Sequence, residues 1–318
     1  MTTAHRVVSV IAGLTMAATS GLALADYPDR PITVLVPFNA GGTTDLVVRT
    51  LEPALERELG AEIVIRNVTG AAGTIAAAEA MQADADGYTL FFTPKGPVTI
   101  QPLLRPLPYQ SDDFLPVAEV SVTTYATVVG QDSEFNSFEE LVTYAQENPG
   151  NLRLASTGIG TMPHLAVVAL SHMVGLDIKH IPYKASGEVT KAIMGGELDG
   201  TTEMSYVAEQ FDLKVLSCWG QERCDGYPDV PTMKELGYDV VLENWLGFVA
   251  PQGVPEEYVT KFAESVGVAL QDESVMTALE NQKVTPAFLA GEAFQEVYEN
   301  DAAANLELLS SAGMSVGQ

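Results

Sequence analysis

Strand-like apolar runs alternate with helix-like periodic segments along nearly the whole chain, and that alternation restricts the fold more than any single motif. Residues 32–37 are a short apolar run, and 44–60 carry Val47, Leu51, Leu55 and Leu59 at helical spacing. A strand at 62–66, an Ala-rich helix at 74–83 and a strand at 88–92 complete a β-α-β-α-β order. Such an order favours a largely parallel sheet with helices on its faces. A second set begins near Tyr125. Ser137 followed by Glu140 is a capping-box pattern opening a helix that runs to Glu147. Strands are expected at 152–155, 178–183, 198–202 and 213–218, with helices at 163–174 and 187–194. Residues 240–250 are apolar and extended, and "PQGVPEEY" opens two or three C-terminal helices. With 318 residues the chain is long for one core, so two α/β lobes are expected. Residues 26–123 and 246–318 form a discontinuous lobe 1, and 124–245 form lobe 2.

The first 25 residues stand outside this plan. Arg6 precedes a small-apolar run, and Ala23-Leu24-Ala25 supplies an A-x-A cleavage pattern, so 1–25 reads as a signal peptide. A membrane anchor is the rival reading, but the run is shorter than the roughly 20 residues a span requires. The remaining chain is expected to be soluble and outside the cytoplasm. A net charge of −26 excludes nucleic acid as a partner, because phosphates would be repelled. The acids are spread along helix patterns, as a solvated surface requires. Both cysteines, Cys218 and Cys224, lie in "CWGQERC". In an oxidising compartment they can close a small structural disulfide loop; the alternatives are two buried thiols or a metal pair short of ligands.

Three strand-to-helix junctions share one chemistry. They are "FNAGGTTD" (38–45), "NVTGAAGT" (67–74) and, in the second lobe, "STGIGTMPH" (156–164). Each offers glycines, hydroxyls and a helix N-terminus, where free amides and the helix dipole face the same point. Converging from two lobes, they suit a carboxylate at each end of a small molecule. Asp45 puts a negative charge beside the first loop, where its ordinary role is to cap free amides. Lys95, in "FFTPKGP" with Thr93, either pairs with a ligand carboxylate or is a solvated lysine balancing nearby acids.

Signatures of catalysis are missing. The chain has no G-x-G-x-x-G after the first strand, no G-x-x-x-x-G-K-[ST] and no H-E-x-x-H. His164, His172 and His180 are spaced by eight, unsuited to one helical face of metal ligands. His164 is read as a loop residue near the ligand, the other two as surface or packing residues. No enzyme, cofactor or metal is expected.

The stretches "YPDRPITVLVPFNAGGTTDLVVR", "NVTGAAGTIAAAEAMQADADGYTLFFT", "LRLASTGIGTMPHLA", "IPYKASGEVTKAIMGGELD" and "YPDVPTMKELGYD…WLGFVAPQGVP" together resemble the periplasmic substrate-binding proteins of tripartite tricarboxylate transporters, the Bug-type receptors. The resemblance runs in order over essentially the whole chain after residue 25. It implies an α/β, two-lobe periplasmic-binding-protein (Venus-flytrap, type II) architecture. It also implies a monomer in the periplasm that closes on a small di- or tricarboxylate or aromatic acid and delivers it to membrane permease subunits. A flytrap signalling to a sensor kinase is the alternative. The ligand set implied is Phe38, Ala40, Gly41, Gly42, Thr43, Thr44 and Asp45 in the first loop, and Gly70, Ala71, Ala72 and Gly73 in the second. The second lobe adds Ser156, Thr157, Gly160, Thr161 and His164. Two departures from the family pattern bear on cargo. "TPKGPVT" makes Lys95 a candidate specificity residue, and Thr93 before it joins the implied ligand set. "TTEMSY" places Glu203 where many members carry Asp, to face a ligand hydroxyl or ammonium or to cap a helix.

Overall fold

The computed structural model describes residues 27–183, 186–311 and 313–314; the segment read as a signal peptide lies outside them. β1 (Ile32–Val36), α1 (Thr43–Leu59), β2 (Ile63–Asn67), α2 (Thr74–Met81) and β3 (Thr89–Pro94) follow in order. β1 pairs in parallel with both β2 and β3. Alternate strand residues feed two apolar layers. Val34, Val36, Leu90 and Phe92 share a core with Val47, Leu51 and Leu55 of α1, while Leu35 and Phe91 share one with Ala76, Ala77 and Ala80 of α2. Burial on both faces explains why these strands read as continuous apolar runs.

A π-helical turn, Gly96–Ile100, runs into α3 (Gln101–Leu104). β4 (Phe114–Val129) follows. The second lobe contains α4 (Phe138–Glu147), β5 (Leu152–Ser156), α5 (Met162–Met173), β6 (Ile178–Pro182), α6 (Ser186–Met194), β7 (Gly200–Met204), α7 (Ser205–Gln210) and β8 (Lys214–Cys218). β9 (Glu243–Pro251), α8 (Glu256–Ala269), α9 (Glu273–Asn281), β10 (Pro286–Ala290) and α10 (Glu292–Ser311) complete the chain. Ser137 caps α4 by accepting the Glu140 amide at 3.2 Å. The Glu140 carboxylate reaches back to the amide of Asn136, one residue beyond the cap.

β4 joins the lobes. Its residues 114–124 pair antiparallel with β9, and 125–129 pair antiparallel with β7 and β8. The strand path is β2-β1-β3-β9-β4-β7-β5-β6, with β8 and β10 also paired to β4. Sequence pattern missed β4 as one element because Pro116, Glu119 and Ser121 interrupt its alternation, and its register with β9 shifts between Pro116 and Ala118 and again between Glu119 and Ser121. α10 also serves both lobes. Phe294 and Tyr298 pack with Trp245 in the first, whereas Leu309 is buried with Leu165, Leu170 and Trp219 in the second. That departs from the expected placement of the whole 246–318 segment in lobe 1. Cys218 and Cys224 form a disulfide with a Cα–Cα distance of 5.6 Å.

Candidate functional site

The lobes face each other across a cleft of about 330 Å³. The first lobe supplies Phe38, Thr43 and Thr44 at the start of α1, Ala72 before α2, and Pro94, Gly96 and Pro97 after β3. The second supplies Thr157, Gly160 and Thr161 after β5, Met162 and Pro163 opening α5, and Ser186, Glu203, Met204 and Tyr206. Thr123 and Tyr125 of β4, with Asn244 and Leu246 of β9, form the floor between them.

The first loop is folded by Asp45. Its carboxylate accepts the Gly41 amide at 2.8 Å, the Asn67 side-chain amide at 2.9 Å and Arg49 Nε at 3.0 Å. Burial acts to raise its pKa, but the hydrogen bonds from Arg49, Gly41 and Asn67 outweigh it and hold the group below the ordinary carboxylate value. The Gly42 amide is likewise spent on Asn39 O at 3.1 Å. Asp45, Gly41 and Gly42, expected as ligand contacts, therefore shape the loop, and none of them is part of the cleft wall; Ala40 is not part of it either. What reaches the wall is the first turn of α1, where the amides of Thr43 and Thr44 have no intrahelical acceptor. A carboxylate there meets free donors and the positive end of the helix dipole.

The second loop is held in an unusual backbone. Gly70, Ala71, Ala72 and Gly73 have φ of 126°, 47°, 57° and 87°. Two alanines in the left-handed region cost energy that the surroundings must repay. Arg105 Nη2 and Thr74 Oγ1 do so by donating to Ala71 O at 2.6 and 2.9 Å. A Cβ on Gly73 would lie 2.7 Å from Pro97 Cγ and 3.0 Å from Pro37 Cβ. The three first-lobe strand ends thus meet at one glycine, and of the second loop Ala72 faces the cleft.

In the third loop His164 Nδ1 accepts the Gly160 amide at 3.1 Å, and Ser156 Oγ lies 2.7 Å from His180 Nε2. The two imidazoles stack at 4.6 Å. Burial, helped by His180, pushes His164 down to about 4, and burial lowers His180 as well. The Thr161 amide and hydroxyl are also consumed, both donating to Gly158 O. Ser156 and His164 stand behind the wall, whereas Thr157, Gly160 and Thr161 line it. A Cβ on Gly160 would lie 2.3 Å from Leu104 Cδ1, so this loop rests directly on α3.

Lys95 is placed by neither sequence reading. It is buried and turned from the cleft, its Nζ 2.9 Å from Asp301 Oδ1 of α10, whose other oxygen accepts Trp245 Nε1 at 2.7 Å. Thr93 is also buried and donates to Pro94 O. Neither lines the wall, which corrects the expectation of Thr93 as a ligand contact and of Lys95 as a specificity residue: an ammonium buried without a partner is too costly, and Asp301 provides that partner.

Glu203, at the end of β7, does line the cleft. Its Oε1 accepts the Met204 amide at 3.0 Å, and the Ser186 hydroxyl also hydrogen-bonds the carboxylate. Burial pushes its pKa up. Tyr125 and Tyr206 are raised by burial and by this neighbouring carboxylate, and the Tyr206 phenol meets the Thr43 hydroxyl across the cleft. Among the described residues Glu203 is the one carboxylate on the wall, and no Lys or Arg joins it. Sequence reasoning missed the aromatic and apolar wall of Tyr125, Tyr206, Met204 and Leu246, which has no motif; the helix-breaking "NAGGTTD" and "GIGTMP" loops were its only local signal.

A two-lobe α/β protein with its cleft at the loop ends is a solute-binding receptor in build. The model of the tripartite tricarboxylate transporter family receptor matches residues 47–311. Protein BugT of Bordetella pertussis is 33% identical over 281 residues, covering 85% of this chain and 86% of the relative. A TctC solute-binding protein from Polaromonas, solved without ligand, has a TM-score of 0.81 at 28% identity over 89% of this chain and 99% of that one. A protein of R. palustris solved with adipate has a TM-score of 0.76 at 27% identity over 91% and 99%. The chain belongs to the tripartite tricarboxylate transporter receptor family, whose members are solute-binding receptors and not enzymes.

Proposed function

We propose that this protein is a periplasmic receptor that captures a small organic carboxylate by lobe closure and passes it to the permease of a tripartite tricarboxylate-type transporter. Supporting the reading is one observation above all: the first turn of α1 opens onto a cleft walled by both lobes, so a bound anion touches both and favours their approach. The seat is neutral. Thr43 and Thr44 provide amides, and Thr44 a hydroxyl, in an otherwise largely apolar setting, which matches a carboxylate on a small hydrocarbon body. The adipate found in a structural relative is such a molecule. Residues 1–25 are assigned as the export signal.

The test is a thermal-shift series on protein that has been unfolded and refolded to remove co-purified ligand. Mono-, di- and tricarboxylates and aromatic acids are added separately. At a hundred times its dissociation constant the cargo stabilises the fold by about 2.7 kcal/mol. The expected result is a clear rise in Tm with at least one acid. A folded protein that responds to none, and whose purified form releases no organic acid to mass spectrometry, contradicts the reading.

A further inference from the structure

Building on the receptor reading, we propose that the cleft selects a monocarboxylate carrying an ammonium group at its far end, with Glu203 as the counter-charge, over a dicarboxylate of equal length. The two walls differ in chemistry. The first-lobe wall presents donors, the first-turn amides of Thr43 and Thr44 and the Thr44 hydroxyl. Among the described residues the second-lobe wall offers a reduced counterpart, the Met162 amide and the Thr157 hydroxyl. Gly160 N is taken by His164 and Thr161 N by Gly158 O. α5 opens with Pro163 in its first turn, which has no N–H to offer.

That wall also carries the carboxylate of Glu203, 6% exposed and facing the cleft. Its partners among the described residues, the Met204 amide and the Ser186 hydroxyl, are neutral. A buried carboxylate is costly while it lacks an opposite charge, and a second ligand carboxylate beside it adds repulsion. A ligand ammonium removes both penalties. Tyr125 and Tyr206 line the same wall close to this carboxylate. Burial pushes the pKa of Glu203 up, and an ammonium beside it favours the ionised form. A ligand hydroxyl supplies a hydrogen bond but no charge, so it ranks second.

The experiment is calorimetric titration of the refolded protein with four-, five- and six-carbon sets: the dicarboxylate, the ω-amino acid and the ω-hydroxy acid of each length. In the best-fitting length the ω-amino acid is expected to bind at least tenfold tighter than the dicarboxylate, with the hydroxy acid between them. Glu203→Gln is expected to weaken the amino acid at least tenfold and the hydroxy acid less than threefold. A dicarboxylate that equals or exceeds the amino acid in the wild-type protein overturns the proposal while leaving the carboxylate receptor intact. So does an amino-acid preference that survives in Glu203→Gln. Binding by no acid of any length overturns both readings. The wild-type ranking decides the matter even if the variant fails to fold.

Discussion

His164 shows how one side chain ties the shape of the cleft to pH. Its Nδ1 accepts the Gly160 amide, a bond that exists only while that nitrogen is unprotonated. Burial holds its pKa near 4 in the folded chain against 6.5 when exposed. A depressed pKa means that stabilisation is complete above pH 6.5 and is lost as pH falls toward 4. Glu119 of β4 works in the opposite sense. Burial, with Glu243 and Asp301 nearby, pushes it up to about 7, so its ionisation costs stability as pH rises from near 4.5 through 7. Each group is worth on the order of 2–3 kcal/mol at most. Urea unfolding of Glu119→Gln should therefore show a gain over wild type at pH 8 that shrinks at pH 5. Conversely, His164→Gln should lose less stability than wild type between pH 6.5 and 4.5. Parallel pH profiles for variants and wild type would contradict both assignments.

At the scale of elements, the strand-to-helix loops are held by packing as much as by hydrogen bonds. Gly73 is the clearest case. Its φ of 87° disfavours any side chain, and a Cβ would strike the rings of Pro97 and Pro37, which have little freedom to move. Gly175 makes a control, since it has φ of 70° and open space around it. Gly175→Ala should cost about 1 kcal/mol from backbone strain alone and leave binding unchanged. Gly73→Ala should cost about 1–3 kcal/mol more and weaken carboxylate binding at least tenfold, because Ala72, which lines the cleft, moves with the loop. Equal effects of the two variants on binding would remove the second loop from the site. Much of this was legible beforehand: the glycines of "NVTGAAGT" and the apolar stripe of α1 stand where the pattern put them. The fate of the amides was not. Which N–H of "NAGGTTD" is free depends on Asn39 O and the Asp45 carboxylate folding back, and spacing alone cannot order those contacts. Lys95 eluded the sequence for a similar reason, because its partner Asp301 lies 206 residues away.

Across the whole molecule, the lobes are joined by few and identifiable segments. β4 changes partners between Thr124 and Tyr125. There the Tyr125 amide donates to Leu242 O at 3.4 Å, and Trp219 N donates to Tyr125 O at 2.8 Å. α10 is a further tie, anchored by Trp245 and Tyr298 at one end and by Leu309 at the other. Closure about this region requires small dihedral changes in β4 and β9 while both cores stay packed, as hinge motions do. The continuity of β4 was hidden from sequence by its bulges, so the lobes were foreseeable but their connection was not. Capture of cargo by closure is the central claim, and inter-lobe distance tests it most directly. Spin labels at Ile75 of α2 and Met194 of α6, both exposed, place one probe on each lobe. Pulsed dipolar spectroscopy is then recorded without ligand and with the tightest-binding acid at a saturation fixed by calorimetry. A shorter and narrower distance distribution is expected with the acid; an identical distribution at full saturation would contradict capture by closure.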